Sequence, residues 1–185
     1  MLNNWPEGRS VPFGVHASHN WAELGAIFEV IRLFHIRTFV ELGTFAGGLS
    51  SFMLTRCQHT SNFFYLGVEK NPEVVDLSVR TEFERLSGAT LQIRDVFEKD
   101  TQDLILNYLS VHPGSALVYC DNGDKPREVA TYLPIVPEGT YVMAHDWGIE
   151  ITERDLNMLD SSLFIRHEPD YLEGTRLLLL ERTGG

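Results

Sequence analysis

The chain has 185 residues, 43% of them hydrophobic and 22% charged, which are the proportions of an ordinary globular protein. At that length one core buries well over half of the unfolded surface, so a single domain over residues 1–185 is expected, without disulfides or a structural metal. With 15 basic against 26 acidic side chains the net charge is −11, which speaks against a nucleic-acid backbone or an anionic membrane as the main partner.

Cys57 and Cys120 fall in helix-like and strand-like surroundings and are expected as reduced, buried thiols. The opening Met1-Leu2-Asn3-Asn4-Trp5-Pro6 lacks the basic and apolar regions of a signal peptide, and no run approaches the roughly 18 apolar residues of a membrane span. A cytoplasmic enzyme or binding protein is therefore expected.

In chain order, residues 3–19 are rich in Asn, Pro, Gly and His without periodicity, and 1–19 reads as an irregular N-terminal arm. Asn20 and Glu23 stand in capping-box spacing before a helix whose apolar face is Trp21, Leu24, Ile27, Phe28, Ile31 and Phe34. A strand at 38–42 ends in a glycine-rich turn, which opens a helix at 49–58. The next strand is 63–68, and Asn71-Pro72 then supplies a cap and a first-turn proline for a helix with Val75, Val79, Phe83 and Leu86 as its buried stripe. Strands follow at 89–93, 116–120 and 140–144, with short helices at 103–109 and near 128–133. Thr152 and Asp155 cap a helix running to about 160, and 164–168 and 175–181 close the chain as a hairpin.

Strand and helix alternate five times, and the central strands are almost uniformly apolar, as in a parallel sheet covered on both faces. The six residues between the last two strands are too few for a parallel crossover, so those strands pair antiparallel. The expected architecture is α/β, a doubly wound, mostly parallel sheet.

In such sheets ligands bind at the carboxyl ends of the strands. There the sequence places Glu41-Leu42-Gly43-Thr44-Phe45-Ala46-Gly47-Gly48, then Glu69, Asp95, Asp121 and His145-Asp146. Gly43 and Gly48 fit the outer positions of a dinucleotide fingerprint, but Phe45 occupies the middle one and obstructs a pyrophosphate. The turn reads better as Glu41, Gly43 and Gly47 followed by Ser50 and Ser51, which suits a ligand with an amino acid and a nucleoside but no phosphates. Glu69 stands where a carboxylate accepts hydrogen bonds from both ribose hydroxyls, and Asp95, beside Val96, where one reads an adenine amino group. Capping of the following segment is the competing reading for Asp95.

These segments carry a resemblance. Phe39-Val-Glu-Leu-Gly-Thr-Phe-Ala-Gly-Gly-Leu-Ser50 is similar to the first motif of class I S-adenosylmethionine-dependent methyltransferases. Tyr65-Leu-Gly-Val-Glu-Lys70 and Arg94-Asp95-Val96 resemble the second and third. The segments 118–124 and 137–146 resemble metal-dependent O-methyltransferases, closest to the group containing the cephalosporin-biosynthesis and macrolide-sugar enzymes. The resemblance implies a Rossmann-like, seven-stranded sheet in the order 3-2-1-4-5-7-6 with strand 7 antiparallel. It implies S-adenosyl-L-methionine as cofactor, held by Glu41, Gly43, Thr44, Phe45, Gly47, Gly48, Ser50, Glu69, Lys70, Asp95, Val96 and Asp121. It also implies a Mg2+ or other divalent ion on Asp121, His145 and Asp146, with histidine where a glutamate is usual. Histidine is a poor magnesium ligand but suits manganese, iron or zinc; the alternative is a metal-free polar pocket in which His145 acts as a base.

The expected reaction is O-methylation of a small-molecule or sugar hydroxyl, with Asp121, Lys125, His145 and Asp146 as catalytic candidates. Relatives often carry a lysine or histidine three residues after the strand-four aspartate; here that position is Asp124, with Lys125 next, so Lys125, His145 and Asp124 stand as rival bases. Without an added cap domain, cover for the pocket comes from the arm, the loops after strands four and five, or a partner subunit in a homo-oligomer. A silent S-adenosylmethionine- or nucleotide-binding protein is the alternative, and a nicotinamide-dependent oxidoreductase a weaker one. His16 and His19, with Trp5 and Trp21, form either a lid or, as the preferred reading, a mobile surface arm. Trp147 is either a substrate wall or a packed core residue. His35, His59, His112 and His167 read as scattered surface residues.

Overall fold

A computed structural model describes residues 14–57, 62–112 and 114–184; residues 3–13 of the arm, with Trp5, and Gln58 and His59 lie outside them. The first helix, α1 (Trp21–Leu33), begins at the expected capping box. The Asn20 side chain accepts from the Glu23 N–H and the Glu23 carboxylate from the Asn20 N–H, each at 2.9 Å. Leu24, Ile27, Val30 and Ile31 are buried, but Trp21 is 59% exposed and meets Phe52 edge-on, so the buried stripe starts one turn later than expected.

Strands β1 (Thr38–Leu42), β2 (Phe64–Glu69), β3 (Ala89–Ile93), β4 (Ala116–Cys120), β5 (Tyr141–Ala144), β6 (Phe164–His167) and β7 (Leu178–Arg182) form one sheet in the order 3-2-1-4-5-7-6. All pairs are parallel except β5–β7 and β6–β7. Alternation along the strands divides the core. Phe39, Tyr65, Tyr119 and Met143 face α1, α2 (Gly48–Cys57) and α3 (Leu77–Arg85). Val40, Leu66, Val118 and Val142 face α4 (Lys99–Val111) and α5 (Lys125–Tyr132). Cys57 and Cys120 are buried free thiols.

Several boundaries move for local reasons. The helix expected from Asn71-Pro72 is a single 3-10 turn (Pro72–Val74), because Asp76 provides a second cap, accepting from the Ser78 N–H at 2.8 Å, and α3 starts there. Helix α4 starts earlier than 103 because Glu98 makes no side-chain cap and leaves no signal in the sequence. Helix α5 starts at Lys125, capped by Asp124 with Pro126 in its first turn. Helix α6 (Glu153–Leu156) is one turn long, since Asp160 caps a separate turn over Ser161–Leu163. Strand β7 begins at Leu178 rather than 175, because the Arg176 carbonyl is taken by the Trp147 N–H at 3.0 Å. No helix among the described residues is long and apolar enough to cross a membrane.

Candidate functional site

The carboxyl ends of β1, β2, β4 and β5 open into one cleft of about 750 Å³, within the roughly 300–1,000 Å³ of small-molecule sites. Its first half is the turn after β1. The Gly43 and Thr44 N–H groups donate to the Val68 carbonyl at 2.9 and 3.3 Å. Gly43 has φ +89°, and a Cβ there would lie 2.6 Å from Asn122 Cα and from the Asp121 carbonyl oxygen. Only glycine lets the turn close against the loop after β4. A Cβ on Gly48 would run into the backbone of His16 and Ala17, so this glycine lets the N-terminal segment cross the start of α2.

Glu69, at the end of β2, holds this turn: one carboxylate oxygen accepts from the Phe45 N–H and the other from the Asn71 N–H, both at 2.9 Å. Each oxygen has capacity for a second hydrogen bond, and Glu69 lines the cleft. Glu41 lies beneath the turn, 2% exposed, accepting from the Ser50 hydroxyl and from the Tyr65 hydroxyl at 2.8 Å. Burial pushes its carboxyl up to about 8, against these hydrogen bonds. Asp95 accepts from the Phe97 N–H at 2.9 Å, and Val96 is buried with its carbonyl taken by the Tyr132 hydroxyl. Neither lines the cleft, and Asp95 caps its own turn.

The second half is charged. Asp121, after β4, has Lys125 Nζ at 3.2 Å, His19 Nε2 at 3.4 Å and His145 Nδ1 at 3.4 Å. Lys125, in the first turn of α5, also reaches Glu150 at 3.0 Å and Asp146 at 3.5 Å. Asp146, at φ 58°, receives Arg176 at 3.1 Å. The far nitrogen of His145 lies 3.4 Å from Glu23, and Arg176 approaches Glu23 at 3.4 Å. His19 Nε2 lies 2.6 Å from the Tyr119 hydroxyl.

The charges set one another. Burial works against ionising His145, but hydrogen bonding to Asp121 and Glu23 outweighs it and raises the imidazole to about 9. Glu23 is correspondingly lowered to about 2: desolvation opposes the shift, and His145 and the Asn20 N–H overcome it. Asp121 is held below the usual carboxylate range by His145, His19 and Lys125 despite its burial. Burial, with His145 adding to it, drives His19 down to about 4 against the pull of Asp121. Lys125 is pushed upward, with Asp121 and Glu150 overcoming desolvation. At neutral pH Lys125 and His145 are therefore proton holders, and His19 is the neutral imidazole.

Of the residues singled out in the sequence, Gly43, Phe45, Glu69, Lys70, Asp121, Lys125, His145 and Asp146 line the cleft. Asp124 is engaged in capping α5, accepting from the Arg127 N–H. The mobile-arm reading of His19 is overturned: it is 3% exposed and at the centre of the site. Glu23, Glu150 and Arg176 were not singled out for chemistry at all. The buried alternation Val15, Ala17, His19 was the available signal, a period-two pattern laid along the core.

No family model matches the chain, and no curated protein does. Solved structures do. CmcI with S-adenosylhomocysteine superposes with a TM-score of 0.70 at 14% identity, over 98% of this chain and 86% of that one. CmcI with magnesium and S-adenosylmethionine gives 0.72 at 13% identity, over 95% and 77%. The RNA methyltransferase from Salinibacter ruber, in complex with S-adenosylhomocysteine, gives 0.55 at 13% identity, over 87% and 92%. The chain shares their fold. At these identities the likeness extends to the sheet order and its helices; the chemistry has to come from the side chains at the cleft.

Proposed function

We propose that the protein is an S-adenosylmethionine-dependent methyltransferase that methylates a hydroxyl group of a small molecule. The observation that carries the reading is the pairing, in one cleft, of a phosphate-free nucleoside pocket at β1–β2 with a charged acceptor site at β4–β5. That cleft occurs in a sheet whose structural neighbours hold S-adenosylmethionine or its demethylated product.

The donor set fits a cationic nucleoside. Glu69 accepts from ribose hydroxyls while its backbone partners fix its position. Gly43 keeps the floor free of any Cβ, and Phe45, 48% exposed, supplies an apolar wall where a pyrophosphate would otherwise pass. Four cleft carboxylates, Glu69, Asp121, Asp146 and Glu150, stand beside Lys70, Lys125, Arg176 and the protonated His145, so the cleft carries no excess of positive charge to hold phosphates.

On the acceptor side, Asp121 and Asp146 accept hydrogen bonds from a substrate hydroxyl and orient its oxygen toward the donor half. His145 and Lys125, both protonated, stabilise negative charge developing on that oxygen. His19 offers the neutral nitrogen for its proton. A divalent cation bound at Asp121 would supply Lewis acidity that makes the hydroxyl more acidic. Holding oxygen, methyl and sulfur in line is the larger contribution, since alignment alone can supply about 7–11 kcal/mol of the barrier.

Transfer of a labelled methyl group from S-adenosylmethionine to a panel of sugar and phenolic hydroxyls tests the reading. The Asp146→Ala variant should lose transfer while keeping its affinity for S-adenosylhomocysteine. Retained binding without transfer to any acceptor by the unmodified protein would leave only a methyl-donor binding protein.

A further inference from the structure

The sequence pattern implies an oxygen-rich cation site on Asp121, His145 and Asp146. Within that set, His145 Nδ1 lies 3.4 Å from Asp121 and 3.5 Å from Asp146. Asp146 is already matched by Arg176 at 3.1 Å and Lys125 at 3.5 Å. The Lys125 ammonium stands among Asp121, Asp146 and Glu150, with its side chain 5% exposed. A second cation placed at that corner would meet this ammonium directly, and Coulomb repulsion in a buried setting is severe.

Asp121 also has two imidazoles beside it, His145 on Oδ1, the oxygen that Lys125 reaches, and His19 on Oδ2. His19, from the segment before α1, and His145, after β5, each present a ring nitrogen 3.4 Å from an Asp121 oxygen. The three ligand atoms lie within 4.8 Å of one another, and both imidazoles are 3% exposed. Behind His145, the buried Glu23 carboxylate stands 3.4 Å from the ring nitrogen that points away from Asp121. A carboxylate behind the imidazole is the support that fixes tautomer and ring orientation in histidine-ligated metal sites. Glu23 is in turn held by the Asn20 N–H and by Arg176.

We propose that His19, Asp121 and His145 form a nitrogen-rich divalent-cation site, positioned by Glu23, that takes a borderline transition ion such as zinc or cobalt in preference to magnesium. Magnesium demands near-octahedral oxygen ligation and keeps its waters, whereas two imidazoles and one carboxylate suit zinc, cobalt or iron(II) with further positions left open. The site deepens the proposed methyl-transfer reading: a bound ion would displace the His145 proton and take over its charge-stabilising role, and His19 would then serve as a ligand in place of a base, making the N-terminal segment part of the metal centre.

The test needs no turnover. The full chain, stripped with a chelator, is titrated with Co2+ while visible absorption is recorded, with Zn2+ and Mg2+ as competitors. S-adenosylhomocysteine affinity is measured separately in chelator. One Co2+ per chain should bind with the d–d bands of a nitrogen-ligated ion; Zn2+ should displace it, and a hundredfold excess of Mg2+ should not. His19→Gln should weaken Co2+ binding by at least about 100-fold and change the bands. Glu23→Gln, removing a positioning residue, should weaken it by about 10- to 100-fold with the bands shifted, the usual effect of losing such a partner. Should His19→Gln fail to fold, His19→Asp, which replaces a nitrogen ligand with a carboxylate, should move the preference toward Mg2+. Displacement of Co2+ by equimolar Mg2+, or a Co2+ spectrum unchanged in a folded His19 variant, would overturn the site. Failure of S-adenosylhomocysteine to bind while Co2+ binds as described would overturn the methyl-donor reading and leave the metal site standing.

Discussion

The two halves of the cleft bury carboxyl groups in opposite ways. Beneath the β1 turn, Glu41 has only hydroxyl partners, Ser50 and Tyr65, and burial lifts it to about 8, so it keeps its proton at neutral pH. On the β4–β5 side, the half-buried Asp121 and the buried Glu23 are both held below the usual range because His145 and its neighbours bring positive charge within reach. A buried glutamate is neutral at Glu41, where its partners are hydroxyls, and ionised at Glu23, where a protonated imidazole stands beside it. The donor half thus rests on a neutral carboxyl at Glu41, with Glu69 held beside it by two backbone N–H groups. The acceptor half is a charged network able to move protons or hold a cation.

The largest effect that would break this contrast concerns Glu41. Its folded value is raised, so its stabilisation is complete below about pH 4.5 and lost as pH rises toward about 8, worth on the order of 5 kcal/mol in total. Glu41→Gln should flatten the fall in thermal stability between those pH values. An unchanged slope would show that Glu41 is not neutral. Next comes Gly43→Ala: the left-handed φ and the 2.6 Å approach to Asn122 should cost at least about 100-fold in S-adenosylhomocysteine affinity, or roughly 2.7 kcal/mol. Calorimetry reads it directly, and a silent substitution would remove the turn from the donor pocket.

A smaller loss sharpens the picture at Glu69. Hydrogen bonds to a charged group contribute roughly 1.5–3 kcal/mol, so Glu69→Ala should weaken S-adenosylhomocysteine by about 10- to 100-fold, and Glu69→Gln by less. Smallest is Arg176→Ala. Arg176 is 44% exposed, so its pairs with Asp146 and Glu23 should contribute about 1 kcal/mol or less to the melting transition, leaving donor affinity unchanged. A large loss of donor affinity there would mean that the two halves are coupled rather than independent.

The donor half was legible in the sequence because its parts are local. The turn at Gly43 and the carboxylate of Glu69 each follow directly on an apolar strand, and the sheet order carries them together. The sheet itself was legible for the same reason: each central strand is a short apolar run bounded by a turn or cap. The acceptor half was legible only at Asp121, Lys125, His145 and Asp146, which sit at strand ends or one turn beyond. His19 and Glu23 lie about a hundred residues away from Asp121 along the chain. His19 had no partner visible in sequence, and Glu23 was absorbed by its capping role, which it does fill. Nothing in the sequence distinguishes a cap carboxylate that also supports an imidazole from one that does not. Asp95, singled out by its strand-end position, accepts from the Phe97 N–H through one carboxylate oxygen.

The central claim is that the cleft is a pocket for S-adenosylmethionine and not for a phosphate-bearing dinucleotide. Calorimetric titration of S-adenosylhomocysteine and of NADH into the purified, metal-free protein tests it most directly. Saturable one-to-one binding of S-adenosylhomocysteine alone is the predicted result, whereas no binding at millimolar concentration, or binding of NADH in its place, would contradict it.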